Sequence, residues 1–152
     1  LRLRDGGRPV PCSLVLAYPT MHAELPPQGP ELAATLAAWP GWDPSLPAVA
    51  RDVNRNHVGD ESAMADPIAF PAGADLAGLP PAYLLNAELD GLRASGEAFA
   101  ALLDAAGVAV RCELEPGAAH GQLNEPFQEV GQRSLERVAG WLLGGWRTAG
   151  PG

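Results

Sequence analysis

A largely apolar run of eight residues, from Ala82 to Leu89, is the feature that most restricts how this chain can fold. Such a run, preceded by the turn residues Pro80 and Pro81, is typical of a strand that is covered on both faces. The segment from Ser13 to Tyr18 has the same character and stops at Pro19. Strands of this kind occur in parallel sheets with helices on each side, so an α/β fold is predicted.

A third strand and a helix complete this unit. Apolar and polar residues alternate from Val108 to Leu114, which indicates a strand with one face in water, as expected at the edge of a sheet. Between the second and third strands, Gly107 ends a segment in which apolar residues follow helical spacing. These residues, predicted to face the core, are Phe99, Leu102, Leu103 and Ala106. We therefore predict one β-α-β crossover, with the second strand between the other two.

The remaining segments are predicted to surround this three-stranded sheet. The connection 20–79 is far longer than a crossover needs, so it is expected to be an insertion of loops and short helices. A closing helix is predicted from Pro126 to Leu143, residues 1–146 are predicted to be one partial domain, and residues 147–152 a disordered tail. Within the insertion, the predicted helices run through Leu32, Leu36 and Trp39 and from Pro47 to His57. The closing helix is predicted to bury Leu135, Val138, Ala139 and Leu142.

Composition argues against several classes of function. The net charge is -8 and the ten basic residues, all arginine, are scattered along the chain, so nucleic-acid binding is not expected. No apolar run reaches about 18 residues and no signal-peptide pattern is present, so a cytoplasmic protein without a membrane span is predicted. Cys12 and Cys112 lie in strand-like segments, which favours two buried thiols over a disulfide or a zinc site. No metal and no cofactor are expected.

Two successive strand-to-helix loops contain an acid and an imidazole. Asp90 follows the second predicted strand and His120 follows the third. Loops that leave the carboxyl ends of neighbouring parallel strands meet at one crevice. Asp90 is therefore predicted to bind the Nδ1 proton of His120, within hydrogen-bond reach, and to hold the other ring nitrogen toward a nucleophile. The alternative is that Asp90 only caps the next helix and that His120 is a loop residue bonded to the backbone.

None of the serines lies in a nucleophile motif. The five serines include none in a Gly-x-Ser-x-Gly segment, and no His-Gly-Gly-Gly loop is present. The segment from Gly59 to Ala63 contains Ser62, but it lacks glycines on both sides of the serine and no buried strand leads into it. His22 and His57 are interpreted as structural or solvent-exposed residues. An acidic group is interpreted as a solvated face because it lacks the spacing of a calcium loop: Asp52, Asp60, Glu61 and Asp66.

These segments resemble the C-terminal half of the hormone-sensitive-lipase-like family of α/β hydrolases, which includes many bacterial carboxylesterases. The first strand ends in Tyr18-Pro19, similar to the family's strand after the nucleophile helix. The segment Asp90-Gly91-Leu92-Arg93 is similar to the family's Asp-Pro-Leu-Arg, with glycine in place of proline. His120-Gly121-Gln122 is similar to the family's His-Gly-Phe, with an amide in place of the aromatic ring. The resemblance implies a doubly wound, mostly parallel sheet and a Ser-His-Asp carboxylic-ester hydrolase, with Asp90 and His120 in the acid and base positions.

In the resembling family, the inserted connection also helps to cover the active site and to shape the acyl pocket. Four apolar side chains of the connection are candidates for that role, and packing in the core is an equal alternative for each. They are Trp39, Trp42, Met64 and Phe70.

The expected partners are a small-molecule ester and the missing N-terminal half of the same fold. The chain has 152 residues and starts at Leu1 rather than Met, whereas a complete doubly wound hydrolase takes about 250 residues. We therefore expect that the nucleophile and oxyanion donors lie upstream, that the chain alone is inactive, and that its first strand exposes an apolar edge. A noncatalytic ligand-binding or interaction protein and an inactive truncated product stay open as alternatives. The oligomeric state is not predicted.

Overall fold

The computed structural model describes residues 1–147 of the chain. Its helices and strands are α1 (Arg2–Asp5), β1 (Leu14–Ala17), α2 (Pro30–Ala38), α3 (Leu46–Val58), β2 (Ala82–Leu89), α4 (Arg93–Ala105), β3 (Val110–Ala119) and α5 (Glu129–Leu142). Short 3-10 turns lie at Glu61–Ala65, Pro71–Gly73, Gln122–Asn124 and Gly145–Arg147. Arg147, predicted to begin a disordered tail, belongs to the last of these turns, and residues 148–152 lie outside the described residues.

The three strands form one parallel sheet in the order β1-β2-β3. Leu84 in the middle of β2 pairs with Leu16 on one side and with Cys112 on the other. Placing β2 between the other two strands leaves it with a helix layer on each face and a strand on each edge. The predicted α/β class, the parallel sheet and the strand order are confirmed.

The side chains of β2 alternate between two cores, which explains why this strand is apolar along most of its length. Ala82 and Leu84 pack against Phe99 and Leu103 of α4. Tyr83 and Leu85 point to the other face, where Trp141 of α5 covers them and stacks on the Tyr83 ring with centroids 5.5 Å apart. The sheet is therefore covered by α4 on one face and by α5 on the other.

The predicted buried faces of α4 and α5 are wrong at four positions. Leu102 is 39% exposed although it neighbours the fully buried Leu103. In α5, Leu135, Ala139 and Leu142 are also exposed. That helix packs through Trp141 and through the two small residues Gly131 and Ser134. A hydrophobicity pattern misses such a face, since small residues allow close approach of the backbone without contributing large apolar side chains.

Strand β3 was predicted from Val108 to Leu114 but runs from Val110 to Ala119. Its largest fully buried side chain is charged: Glu115 is inaccessible to solvent and accepts a hydrogen bond from Arg133 at 2.8 Å. Arg137 of α5 pairs with the same carboxylate at 2.9 Å. Two arginines thus compensate the burial of one acid, and they connect α5 to the edge strand of the sheet.

Both cysteines are free, but the prediction that they are buried is wrong. Cys12 precedes β1 in a segment without regular structure, and Cys112 lies on β3, which has no strand on its outer side among residues 1–147. Both residues are exposed. The Cys112 sulfur accepts a hydrogen bond from Asn86 Nδ2 at 3.3 Å.

The inserted connection contains α2 and α3, close to where helices were predicted. Leu32 and Leu36 of α2 are buried against Ala94 at the start of α4. Arg93 strengthens this contact, because its guanidinium bonds Glu31 of α2 at 2.8 Å and Glu97 of α4 at 2.6 Å. The connection is therefore docked beside the loop that follows β2. No helix among residues 1–147 has both the length and the apolar character needed to cross a membrane.

Candidate active site

Asp90 and His120 lie side by side because β2 and β3 end in register. Leu89 pairs with Ala119, and the two candidate residues come directly after this pair. A bulge between Ala87 and Leu89 makes this register possible by absorbing extra residues of β3. The Nδ1 atom of His120 lies 2.8 Å from Oδ2 of Asp90. The expected hydrogen-bond distance between these side chains is confirmed.

The Asp90 carboxylate makes two hydrogen bonds, one with each oxygen. Oδ2 accepts from His120, and Oδ1 accepts from the backbone N–H of Leu92 at 2.9 Å. The backbone carbonyl of Asp90 also accepts from the N–H of Arg93, the first residue of α4. Asp90 therefore orders the start of the helix and holds the imidazole at the same time. The sequence left helix capping and binding of His120 as alternative roles for Asp90, and the structure shows both, each made by a different carboxylate oxygen.

The His120 ring is positioned to exchange a proton with a group outside the pair. The hydrogen bond to Asp90 raises the pKa of His120, and partial burial opposes that rise without cancelling it. With Nδ1 donating to the carboxylate, Nε2 carries a lone pair in the neutral ring. Within residues 1–147, Nε2 has no hydrogen-bond partner, and the side chain is 48% exposed. The arrangement can accept a proton at Nε2 while Asp90 stabilises the resulting cation.

Tyr18 also contacts His120, a role that the sequence reasoning missed. Its ring meets the imidazole edge to face, with centroids 4.8 Å apart. The backbone of Tyr18 has φ of 39°, and it is the only residue other than glycine with positive φ among residues 1–147. A bulky residue in this region costs about 1–3 kcal/mol, and such strain is common at functional sites. Its position at the carboxyl end of β1, next to Pro19, was the available signal.

An apolar cleft of about 310 Å³ lies next to the Asp90–His120 pair. Trp39, Trp42 and Leu46 of the inserted connection line it on one side. Of the four apolar candidates in the connection, the two tryptophans therefore lie at the site. Phe70 is buried elsewhere, and Met64 lies in the 3-10 turn Glu61–Ala65, so neither of them lines this cleft.

The two departures from the family pattern have different surroundings. A Cβ atom on Gly91 would lie 2.5 Å from Cζ3 of Trp42 and would overlap Cδ2 of Leu46, so a proline has no room there. Gln122 is 6% exposed, and its amide nitrogen and oxygen have no hydrogen-bond partner within the described part of the chain. The structure explains the glycine by a close contact. Nothing in it explains the amide.

The other candidate residues lie away from His120. Ser95 is fully buried in α4, and its hydroxyl contacts Nδ1 of His22 at 2.9 Å and accepts from the N–H of Met21. Burial lowers the pKa of His22, in keeping with a structural role. Ser62 donates its N–H to Asp60 at the start of a 3-10 turn, which is not the strand-turn-helix of a nucleophile elbow. No serine within residues 1–147 hydrogen-bonds to His120.

The acidic residues of the connection are engaged in surface interactions. Asp52 pairs with Arg55 at 3.1 Å, and Glu61 pairs with Arg51. Across the described residues, no three side chains of His, Cys, Asp or Glu are placed to hold a metal ion together.

Comparison with known proteins places this geometry in a family. A family profile described as the alpha/beta hydrolase fold matches residues 1–124. The chain is 34% identical over 134 residues to the carboxylesterase NlhH of Mycobacterium tuberculosis, an alignment that covers 80% of this chain and 37% of the relative.

Solved esterase structures superpose on most of the chain. A hyperthermophilic esterase from Pyrobaculum calidifontis matches 91% of this chain and 45% of its own at 29% identity, with a TM-score of 0.74. A thermostable esterase from Pseudomonas putida matches 90% of this chain and 43% of its own at 27% identity, with a TM-score of 0.72. The chain thus spans less than half the length of these relatives. With most of its residues matched by the family profile, the chain belongs to the α/β hydrolase fold family, as its resemblance to the hormone-sensitive-lipase-like esterases indicates.

Proposed function

We propose that this chain supplies the acid and the base of a serine-type carboxylic-ester hydrolase. The observation that carries the proposal is the 2.8 Å contact between Asp90 and Nδ1 of His120, beside an apolar cleft and with no partner for Nε2 among residues 1–147. A protein that only binds a ligand has no need for a buried carboxylate aligned on an imidazole. Membership in a family with esterases supports the same reaction.

In the proposed reaction, Nε2 of His120 accepts the proton of a serine hydroxyl as its oxygen attacks the ester carbonyl carbon. The tetrahedral intermediate then collapses, the bond to the alcohol oxygen breaks, and His120 returns the proton to that oxygen. Water, deprotonated by the same imidazole, then attacks the acyl-enzyme; the bond to the serine oxygen breaks, the acid leaves, and His120 returns the proton to the serine oxygen. Asp90 stabilises the imidazolium in both halves of the reaction. We assign the serine and the oxyanion donors to the part of the fold that the relatives have and this chain does not cover.

The proposed substrate is a small or medium carboxylic ester. The cleft beside His120 has room for a short apolar group, and apart from Asp90 and His120 its only charged lining residue is Asp43.

Joining this chain to the unmatched part of the M. tuberculosis carboxylesterase tests the proposed function. We expect the joined protein to hydrolyse a short-chain chromogenic ester, while the chain alone gives only the background rate because it contributes no nucleophile. The unmatched part alone is the control for activity that does not need this chain. A well-folded joined protein that binds the ester without hydrolysing it would favour the noncatalytic alternative.

A further inference from the structure

The space beside Gly91 is filled by side chains of the inserted connection. A Cβ atom at this position would lie 2.5 Å from Cζ3 of Trp42 and would also overlap Cδ2 of Leu46. Carbon atoms in contact lie about 3.5–4.0 Å apart, so any side chain here would displace one of its neighbours. Trp42 and Leu46 therefore lie directly on the backbone of the residue that follows Asp90.

Trp42 and Leu46 are held in place over Gly91 by hydrogen bonds within their own segment. The N–H of Trp42 donates to the carbonyl of Trp39 at 3.0 Å, and the N–H of Leu46 donates to the carbonyl of Asp43 at 3.1 Å. The Asp43 carboxylate accepts from the backbone N–H of Ser45 at 2.8 Å and from its hydroxyl at 2.7 Å. Two turns thus fix Trp42 and Leu46 at the entrance to α3, independently of any contact with Asp90.

Trp42 separates two clefts at the position of the acid. One cleft contains Asp90 and His120, and the other is lined by prolines of the connection; each measures about 310 Å³, and Trp42 and Gly91 line both. The Asp90 side chain is 2% exposed, whereas the His120 side chain is 48% exposed. Removing the Trp42 side chain can therefore increase the water exposure of the Asp90 carboxylate more than that of His120, which is already half exposed.

We propose that Trp42, packed with Leu46 on Gly91, is a positioning residue that keeps water from Asp90 and so maintains the hydrogen bond to His120. The proposal rests on the proposed function, in which that hydrogen bond orients the base. Hydrogen bonds to a charged group are stronger where water does not compete for it. Water that entered beside Gly91 would reach the carboxylate and compete with both Leu92 and His120.

NMR on the full chain tests this proposal without any need for activity. The drop in the His120 pKa caused by Asp90→Asn measures how far the Asp90 hydrogen bond raises it. We expect Trp42→Ala to lower the His120 pKa by most of that amount. The amide proton of Leu92 should exchange with solvent at least about tenfold faster in Trp42→Ala. Trp42→Phe, which keeps an aromatic ring over Gly91, should retain most of both properties.

Matched controls separate this effect from a general loss of structure. Trp39→Ala removes a ring that lines the same cleft but lies against Gly41. It should leave the titration of His120 and the exchange of Leu92 close to those of the unmodified chain. Asp43 and Glu125, the other charged groups lining clefts beside His120, stay in place in all variants. Gly91→Ala should reproduce the effect of Trp42→Ala, because the added methyl group displaces the ring.

Two results would overturn distinct claims. If Asp90→Asn lowers the pKa of His120 but Trp42→Ala changes neither this pKa nor the exchange of Leu92, the positioning role of Trp42 is wrong and the proposed function stands. If Asp90→Asn itself leaves the titration of His120 unchanged, the pairing that underlies the proposed function fails. Should Trp42→Ala unfold, Leu46→Ala and Gly91→Ala provide the same comparison with smaller changes.

Discussion

His120→Ala is expected to reduce ester hydrolysis by the joined protein by roughly 10⁴-fold or more, the loss typical when the acid–base system of a serine hydrolase is disrupted. Without the imidazole, no group accepts the proton of the attacking hydroxyl at neutral pH. The indole rings of Trp39 and Trp42 in the cleft wall do not replace it, since an indole N–H is a donor only. The measurement is kcat/KM on a short-chain chromogenic ester.

The matched control is His57→Ala, which removes the exposed imidazole near the end of α3. This variant should keep the activity of the joined protein, because its ring lies on the solvent side of the inserted connection. Equal losses in the two variants would show that the assay responds to general damage. A His120→Ala variant that retains activity within about tenfold would contradict the role of His120 as base.

Leu103→Ala is expected to reduce the free energy of unfolding by about 2 to 5 kcal/mol. Leu103 is fully inaccessible to solvent and packs with Phe99 against Ala82 and Leu84 of β2. Truncation leaves a cavity between α4 and the central strand, which neighbouring side chains fill only in part. Urea unfolding of the full chain, followed by circular dichroism, gives the difference.

Leu102→Ala is the control for the loss of Leu103, since it changes the same residue type at the adjacent position of the same helix. Leu102 is 39% exposed, so its truncation should change the free energy of unfolding by only about 0.5 kcal/mol. Losses of equal size would mean that α4 does not pack on the sheet through the face seen here.

The sheet and the position of the candidate pair could be predicted because both follow from local patterns. A strand buried on both faces is apolar along most of its length, as Ala82 to Leu89 is. Residues that directly follow neighbouring parallel strands are brought to one edge, as Asp90 and His120 are. No tertiary detail is needed for either step.

What could not be predicted depends on contacts between distant segments. The contact between Trp42 and Gly91 joins residues far apart in the chain. Only the folded structure shows that a side chain at position 91 would clash with Trp42. The end of β3 was missed because Pro116 and Gly117 are typical loop residues. In the structure, the carboxylate of Glu88 accepts a hydrogen bond from the N–H of Gly117 at 2.7 Å, which holds this irregular segment beside β2.

The central claim is that His120, held by Asp90, is the base of an ester hydrolase, and the pH dependence of the joined protein tests it most directly. A base acts in its neutral form, so kcat/KM should rise as pH increases through the pKa of His120. The Asp90 hydrogen bond raises that pKa above its ordinary value of 6.5, so the rise should be centred above pH 6.5. The measurement compares the midpoint of the kinetic rise with the midpoint of the His120 titration, followed by NMR in the same protein. We predict that the two midpoints coincide, whereas a rise that follows another group, or rates that do not change while His120 titrates, would contradict the claim.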